Sequence, residues 1–302
     1  MYQNVYFEKE KSIIHCWDDQ KGYFTSKYRR YAYVKDGNGA HQSIHGERLK
    51  KINFWKQDDG LKLYESDVNE MTRFLIDEYG DSDEISTGHV TLTFDIEVEM
   101  NSGLPDTEKA ENTMTSVAFH DSATNDYTVY VLSEGEEIDK TIKGAKVRSF
   151  RSEADMLVAF VNAWEEISPT IITGWNIDFF DVTYLYNRLK RVLGTTQANR
   201  LSPIGKVHWN KYRKRYIIAG VSALDYIALF KNFTYTEYPN YRLDTIAKME
   251  LGRGKIEYEG NLDQLFRDDI EKFIEYNLVD VELVVDMDRK LQFIDLARAI
   301  CH

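Results

Sequence analysis

Residues 89–98 read HVTLTFDIEV, and the architecture can be worked out from this stretch. Leu92, Phe94, Ile96 and Val98 alternate with polar positions, the period of a β-strand. The strand is bounded by apolar side chains on one face, so it belongs in a core. Asp95 and Glu97 stand one residue apart, and their side chains therefore share the other face. Two neighbouring carboxylates without a cation repel and resist ionising together. Divalent cations remove that cost, and carboxylate oxygens suit Mg²⁺ or Mn²⁺. The plainer account is a solvated strand face with incidental acids. The apolar flanks argue against it.

Outward from this strand the pattern alternates. TSVAFHD (115–121) and YTVYVL (127–132) read as two further strands. Ser152, with Asp155 three residues on, caps a helix EADMLVAFVNAWEEI that ends at Ser168-Pro169. TIITGW (170–175) is a short strand, followed by a helix DVTYLYNRLKRVL that stops at Gly194. KVHWNKYRKRYII (206–218) reads as a basic two-strand ribbon. A long amphipathic helix from about Asp268 presents Phe273, Ile274, Leu278, Val281, Val284 and Val285 on one face. Three strands followed by alternating helices and strands predict an α/β mixed sheet flanked by helices.

Upstream, residues 1–88 read as a small mixed α+β unit. Runs such as NVYFEK, SIIHCW and YRRYAYVK are broken by the turn Asp36-Gly37-Asn38-Gly39. A helix is expected with Asp67 as N-cap, Glu70 completing a capping box and Gly80 as its stop. The acidic stretch 80–88 is the expected boundary, giving domains 1–88 and 89–302.

Composition bounds the function without deciding it. The 302 residues are 43% hydrophobic and 29% charged, ordinary for a globular chain. Cys16 and Cys301 form no close pair, which fits a reducing compartment. No apolar stretch approaches 18 residues, so no membrane partner is expected. A net charge of −12 speaks at first against nucleic acid. Acids gathered to hold cations reverse that objection locally, because the bound ions invert the field.

Two more clusters carry chemistry. Gly174-Trp175-Asn176 leads from a strand into a helix with Asp181 at its first turn, where α/β sheets place ligands. Asp181 could equally be an N-cap. Tyr276 and Asp280 lie at i, i+4 on the closing helix and share a face. Asp280 sits inside the apolar run LVDVELVV, where an unpaired charge is costly. A lone Tyr276 reads as a core aromatic.

In this order, DIE, GWNxxxFDxxYxxNR and YxxxD resemble the three exonuclease motifs of family B DNA polymerases. Over residues 89–298 the details are similar to T-even-like phage replicative polymerases. The resemblance implies a ribonuclease H-like exonuclease domain acting 3′→5′ on DNA and releasing nucleoside 5′-monophosphates. It implies two divalent cations, Mg²⁺ with Mn²⁺ able to substitute. Asp95, Glu97 and Asp280 would hold the first, and Asp95 with Asp181 the second. Tyr276 would orient the attacking water. Asn176, Phe179 and Phe180 would contact the terminal nucleotides of single-stranded DNA or a primer 3′ end, the aromatics by stacking. The ribbon with Lys206, Lys211, Arg213, Lys214 and Arg215 matches a hairpin that helps part primer from template.

No second aspartate-rich motif of the polymerase type occurs, so the chain is not expected to polymerise by itself. A piece of a longer polymerase and one half of a split polymerase both remain open, with the polymerase portion as partner. The resemblance places the chain in the cytoplasm of an infected host cell. A competing reading is a nucleic-acid-binding or structural subunit. For it, Tyr28-Arg29-Arg30-Tyr31 and Tyr33 in the N-terminal domain would offer an RNA-binding segment.

Overall fold

The computed structural model describes residues 1–53, 60–100, 103–135 and 137–300. Cys301 lies outside them, while Cys16 is buried and free. The chain divides into two compact units, Met1–Thr87 and Gly88–His302.

The first unit holds β1 (Tyr2–Glu8), β2 (Ile13–Asp18), β3 (Gly22–Lys27), β4 (Ala32–Lys35), β5 (His41–Gln42), β6 (Arg48–Ile52), β7 (Leu63–Tyr64) and α1 (Glu70–Tyr79). β1, β2 and β3 form an antiparallel meander, and β5-β6-β4-β7 form a second sheet. Ile14, Cys16 and Phe74 make the small core where α1 covers the meander. The turn at 36–39 closes as expected, with the Gly39 N–H donating to the Asp36 carbonyl (2.9 Å). α1 begins later than Asp67 suggests. Asn69 is its N-cap, its side chain accepting from the Thr72 N–H, and that makes a cap at Asp67 unnecessary.

The second unit is built on one seven-stranded sheet. Its strands are β8 (Thr91–Val98), β9 (Met114–Asp121), β10 (Asp126–Leu132), β11 (Asp139–Ile142), β12 (Ala145–Phe150), β13 (Ile171–Gly174) and β16 (Ser222–Asp225), in the order β11-β12-β10-β9-β8-β13-β16. β8, β9 and β10 pair antiparallel. β8, β13 and β16 run parallel, as do β10 and β12, so the sheet is mixed. The separate ribbon is β14 (Val207–Asn210) with β15 (Arg215–Ile218).

The helices are α2 (Glu153–Ile167), α3 (Asp181–Leu193), α4 (Thr195–Ala198), α5 (Tyr226–Phe233), α6 (Leu243–Leu251), α7 (Leu262–Asp268), α8 (Ile270–Leu291) and α9 (Phe293–Ile300). Leu92, Phe94, Ile96 and Val98 pack with Phe160, Trp164 and Leu185 of α2 and α3. Arg188 of α3 forks onto Glu153 of α2 (2.7 and 2.6 Å), which locks these two helices together. The other face of β8 and β9 meets α8. Phe273, Ile274, Leu278, Val281, Val284 and Val285 are all buried there, as their spacing predicts. Asp268 ends α7, and Asp269 caps α8 by accepting from the Lys272 N–H. The helix expected from about Asp268 is α8, which starts at Ile270 just after this cap.

Candidate active site

The C-terminal half of β8 brings Asp95 and Glu97 to the face opposite Phe94 and Ile96. α8 lies across that face and supplies Asp280, 4% exposed. One carboxylate oxygen from each of Asp95, Glu97 and Asp280 falls within 4.8 Å of the others. Asp280 Oδ1 is buried without a hydrogen-bond partner. A buried acceptor facing two other carboxylates is a poor arrangement for a bare protein and a good one for a cation.

Asp181 comes from the first turn of α3. It is not the cap of its own helix: its Oδ1 accepts the Ile96 N–H (3.2 Å), which reaches across to the strand between Asp95 and Glu97. Gly174 makes that approach possible. A Cβ there would meet the Phe94 carbonyl oxygen at 2.4 Å. The loop after it is held by Asp225, which accepts the N–H groups of Asn176 and Asp178, each at 3.1 Å. Asn176 itself adopts a left-handed backbone (φ 70°).

Electrostatics follow from crowding acids in a cleft floor. Burial, reinforced by Asp280, pushes Glu97 up to about 8. Burial likewise moves Asp181 to about 7 and Asp280 to about 6, and raises Asp95 well above its usual range. Among the described residues, one cation answers them. Lys255 pairs with Asp280 and donates to the Tyr276 hydroxyl oxygen (3.1 Å), so the phenol keeps its own hydrogen to give elsewhere. Burial raises the Tyr276 pKa, so it remains a phenol.

Three supporting residues escaped the sequence reading. Asn277 is fully buried and donates to Asp95 Oδ2 (2.8 Å), while its carbonyl accepts from Ser116. It is adjacent to Tyr276, and a polar residue inside an apolar helix face was the available signal. Lys255 sits in a loop without periodicity, and Asp225 ends a four-residue strand. Neither offered a pattern.

The expected DNA contacts divide. Phe179 is 67% exposed, whereas Phe180 stacks on Tyr184 (5.4 Å) and is half-buried. Lys211, Arg213 and Lys214 are exposed at the ribbon tip, and Lys206 is half-buried at its base. Arg215 instead pairs with Asp178, tying the ribbon to the loop before Asp181. In the N-terminal unit, Tyr31 is buried and donates to Asp77 (2.6 Å), and Tyr33 meets its ring edge-on. Those aromatics are engaged within the unit, while Arg29 is exposed.

The model of the family described as DNA polymerase family B, exonuclease domain, matches residues 79–246, which include Asp95, Glu97 and Asp181. The chain is 33% identical over 272 residues to a DNA-directed DNA polymerase of Escherichia phage RB69, covering 80% of this chain and 30% of that one. It is 34% identical over 236 residues to the DNA-directed DNA polymerase of Enterobacteria phage T4, covering 69% of this chain and 26% of that one. DNA polymerase 1 of Saccharolobus solfataricus is 27% identical over 261 residues, covering 75% and 27%. The chain thus spans less than a third of the length of these relatives. With the mixed sheet, the acid cluster and the match over residues 79–246 taken together, the chain belongs to the family B DNA polymerases and carries their exonuclease domain.

Proposed function

We propose that this chain is a metal-dependent 3′→5′ DNA exonuclease, the proofreading module of a phage replicative polymerase, acting in the cytoplasm of an infected cell. The observation that carries the reading is the convergence of Asp95, Glu97 and Asp280 within 4.8 Å. The unpartnered Asp280 oxygen and the all-carboxylate donor set fit hard divalent cations, Mg²⁺ foremost and Mn²⁺ as its substitute. Asp95, Glu97 and Asp280 would hold one ion; Asp95 and Asp181 would hold a second. Such ions, when bound, activate water and stabilise the leaving oxygen.

The chain's own groups do the rest. Tyr276, its oxygen occupied by Lys255, donates its hydrogen to the attacking water and orients it. Asn277 fixes the Asp95 carboxylate, and Asp225 fixes the loop that sets Asp181. Phe179 offers a stacking surface for a terminal base. Water adds to the 3′-terminal phosphodiester, the bond to the preceding 3′ oxygen breaks, and a nucleoside 5′-monophosphate leaves.

A 5′-labelled single strand with Mg²⁺ or Mn²⁺ tests this. The wild type should produce a ladder of shortened strands, and Asp95→Ala and Asp280→Ala should abolish it. Tyr276→Phe should be milder, since it removes an orienting hydroxyl and no ligand. No shortening with either metal, with strands retained in a gel shift, would leave a nucleic-acid-binding module.

A further inference from the structure

Beside the acid cluster lies a cleft of about 450 Å³ walled by Trp175, Asn176, Tyr241, Arg242 and Lys255, with Asp95 and Asp280 exposed to it. Two of these side chains are cationic, and they differ in kind. Lys255 is committed to Asp280 and Tyr276. Arg242 is exposed and has no carboxylate partner among the described residues. Its backbone is nonetheless fixed. Its N–H donates to Asn240 Oδ1 (3.0 Å), and its carbonyl accepts the Ile246 N–H (3.1 Å) as α6 begins. The neighbouring Tyr241 carbonyl accepts from Trp175 Nε1 (3.2 Å).

The cleft walls carry Asp95, Asp244 and Asp280 on a chain of net charge −12, so a polyanion meets repulsion on entry. A guanidinium held on a rigid base, unpaired and planar, is suited to grip a phosphate with two parallel hydrogen bonds. The scissile phosphate has to lie against the acid cluster, where Lys255 already stands. Arg242, at the start of α6, is placed for a phosphate further along the strand.

Resting on the exonuclease reading, we propose that Arg242 is a substrate-positioning residue that holds a non-scissile backbone phosphate of the strand entering the site. The test compares wild type, Arg242→Gln and Arg242→Lys on a 5′-labelled single strand across a salt series. A second substrate set carries one uncharged methylphosphonate linkage at each successive position. Arg242→Gln should raise KM about tenfold, the scale of a charge-assisted hydrogen bond, with kcat within about twofold. Its log(kcat/KM) against log salt should flatten by about 0.7, the increment for one single-strand phosphate contact, and Arg242→Lys should restore that slope. One methylphosphonate position should weaken the wild type and not Arg242→Gln. An unchanged slope in Arg242→Gln, even with altered thermal stability, overturns the assignment, as does every methylphosphonate position affecting both proteins alike. A wild type that shortens no strand sinks the exonuclease reading, and this inference with it; an active wild type with an indistinguishable Arg242→Gln sinks this inference alone.

Discussion

Asn277 shows how one side chain sets the geometry of another. Its amide nitrogen donates to Asp95 and its oxygen accepts from Ser116, with no solvent exposure. Replacing it with leucine keeps the branched shape but leaves the Asp95 oxygen and the Ser116 hydroxyl unpaired. Groups that orient ligating carboxylates typically cost about 10–100-fold in metal affinity or activity when lost. Asn277→Leu should therefore shift the Mg²⁺ concentration for half-maximal strand shortening upward by about that factor, with the far-ultraviolet circular dichroism unchanged. An unaltered Mg²⁺ titration would remove Asn277 from the site. Strand alternation and an acid inside an apolar helix run make Asp95, Glu97 and Asp280 stand out, whereas Asp181 and Tyr276 owe their assignment to the motif resemblance. Lys255 and Arg242 sit beside the same cleft from irregular segments, where spacing carries no signal.

At the scale of elements, the site depends on β8 and β13 lying close enough for the start of α3 to reach over. Strands β8, β9, β10 and β13 and helices α2, α3 and α8 follow from hydrophobic period, caps and stop residues. The edge pair β11–β12, the four-residue β16 and helices α5, α6 and α7 do not. They are short, and their positions are fixed by tertiary pairing rather than by their own periodicity. Gly174 is where local sequence and packing meet. An added methyl would strike the Phe94 carbonyl oxygen at 2.4 Å and Ile177 Cγ2 at 2.5 Å. The first obstacle is the backbone of β8, which cannot rotate away. Gly174→Ala should cost about 1–3 kcal/mol, the range for overpacking a filled interior. It should also move Asp181 away from Ile96. A denaturant midpoint equal to that of the wild type would show that β13 shifts freely, and the account of α3 placement would fall.

At the scale of the whole molecule, the acid cluster makes stability a function of pH and of cations. Glu97, Asp181 and Asp280 carry folded-state pKa values of about 8, about 7 and about 6, against ordinary values of 4.5, 3.8 and 3.8. Each holds its proton to higher pH in the folded chain than in the unfolded one. Below about pH 3 both states are largely protonated and the cluster costs little. Between about pH 4 and 8 the folded chain binds more protons, so stability falls as pH rises, by up to about 1.4 kcal/mol per pH unit for each group titrating unequally. The chelator-treated protein should therefore unfold at progressively lower temperature from pH 6 to 8.5. The double variant Asp95→Asn, Glu97→Gln should lose much of that slope, since it removes two of the repelling charges. Mg²⁺ or Mn²⁺ added at pH 8 should raise the wild-type midpoint in proportion to the logarithm of cation concentration once binding saturates, because ions that bind only the folded chain shift the equilibrium by mass action. The same addition should leave the double variant almost unmoved. Calorimetry in chelator that gives one midpoint from pH 6 to 8.5, with no response to either metal, would mean that the four carboxylates are not the strained cluster their burial describes.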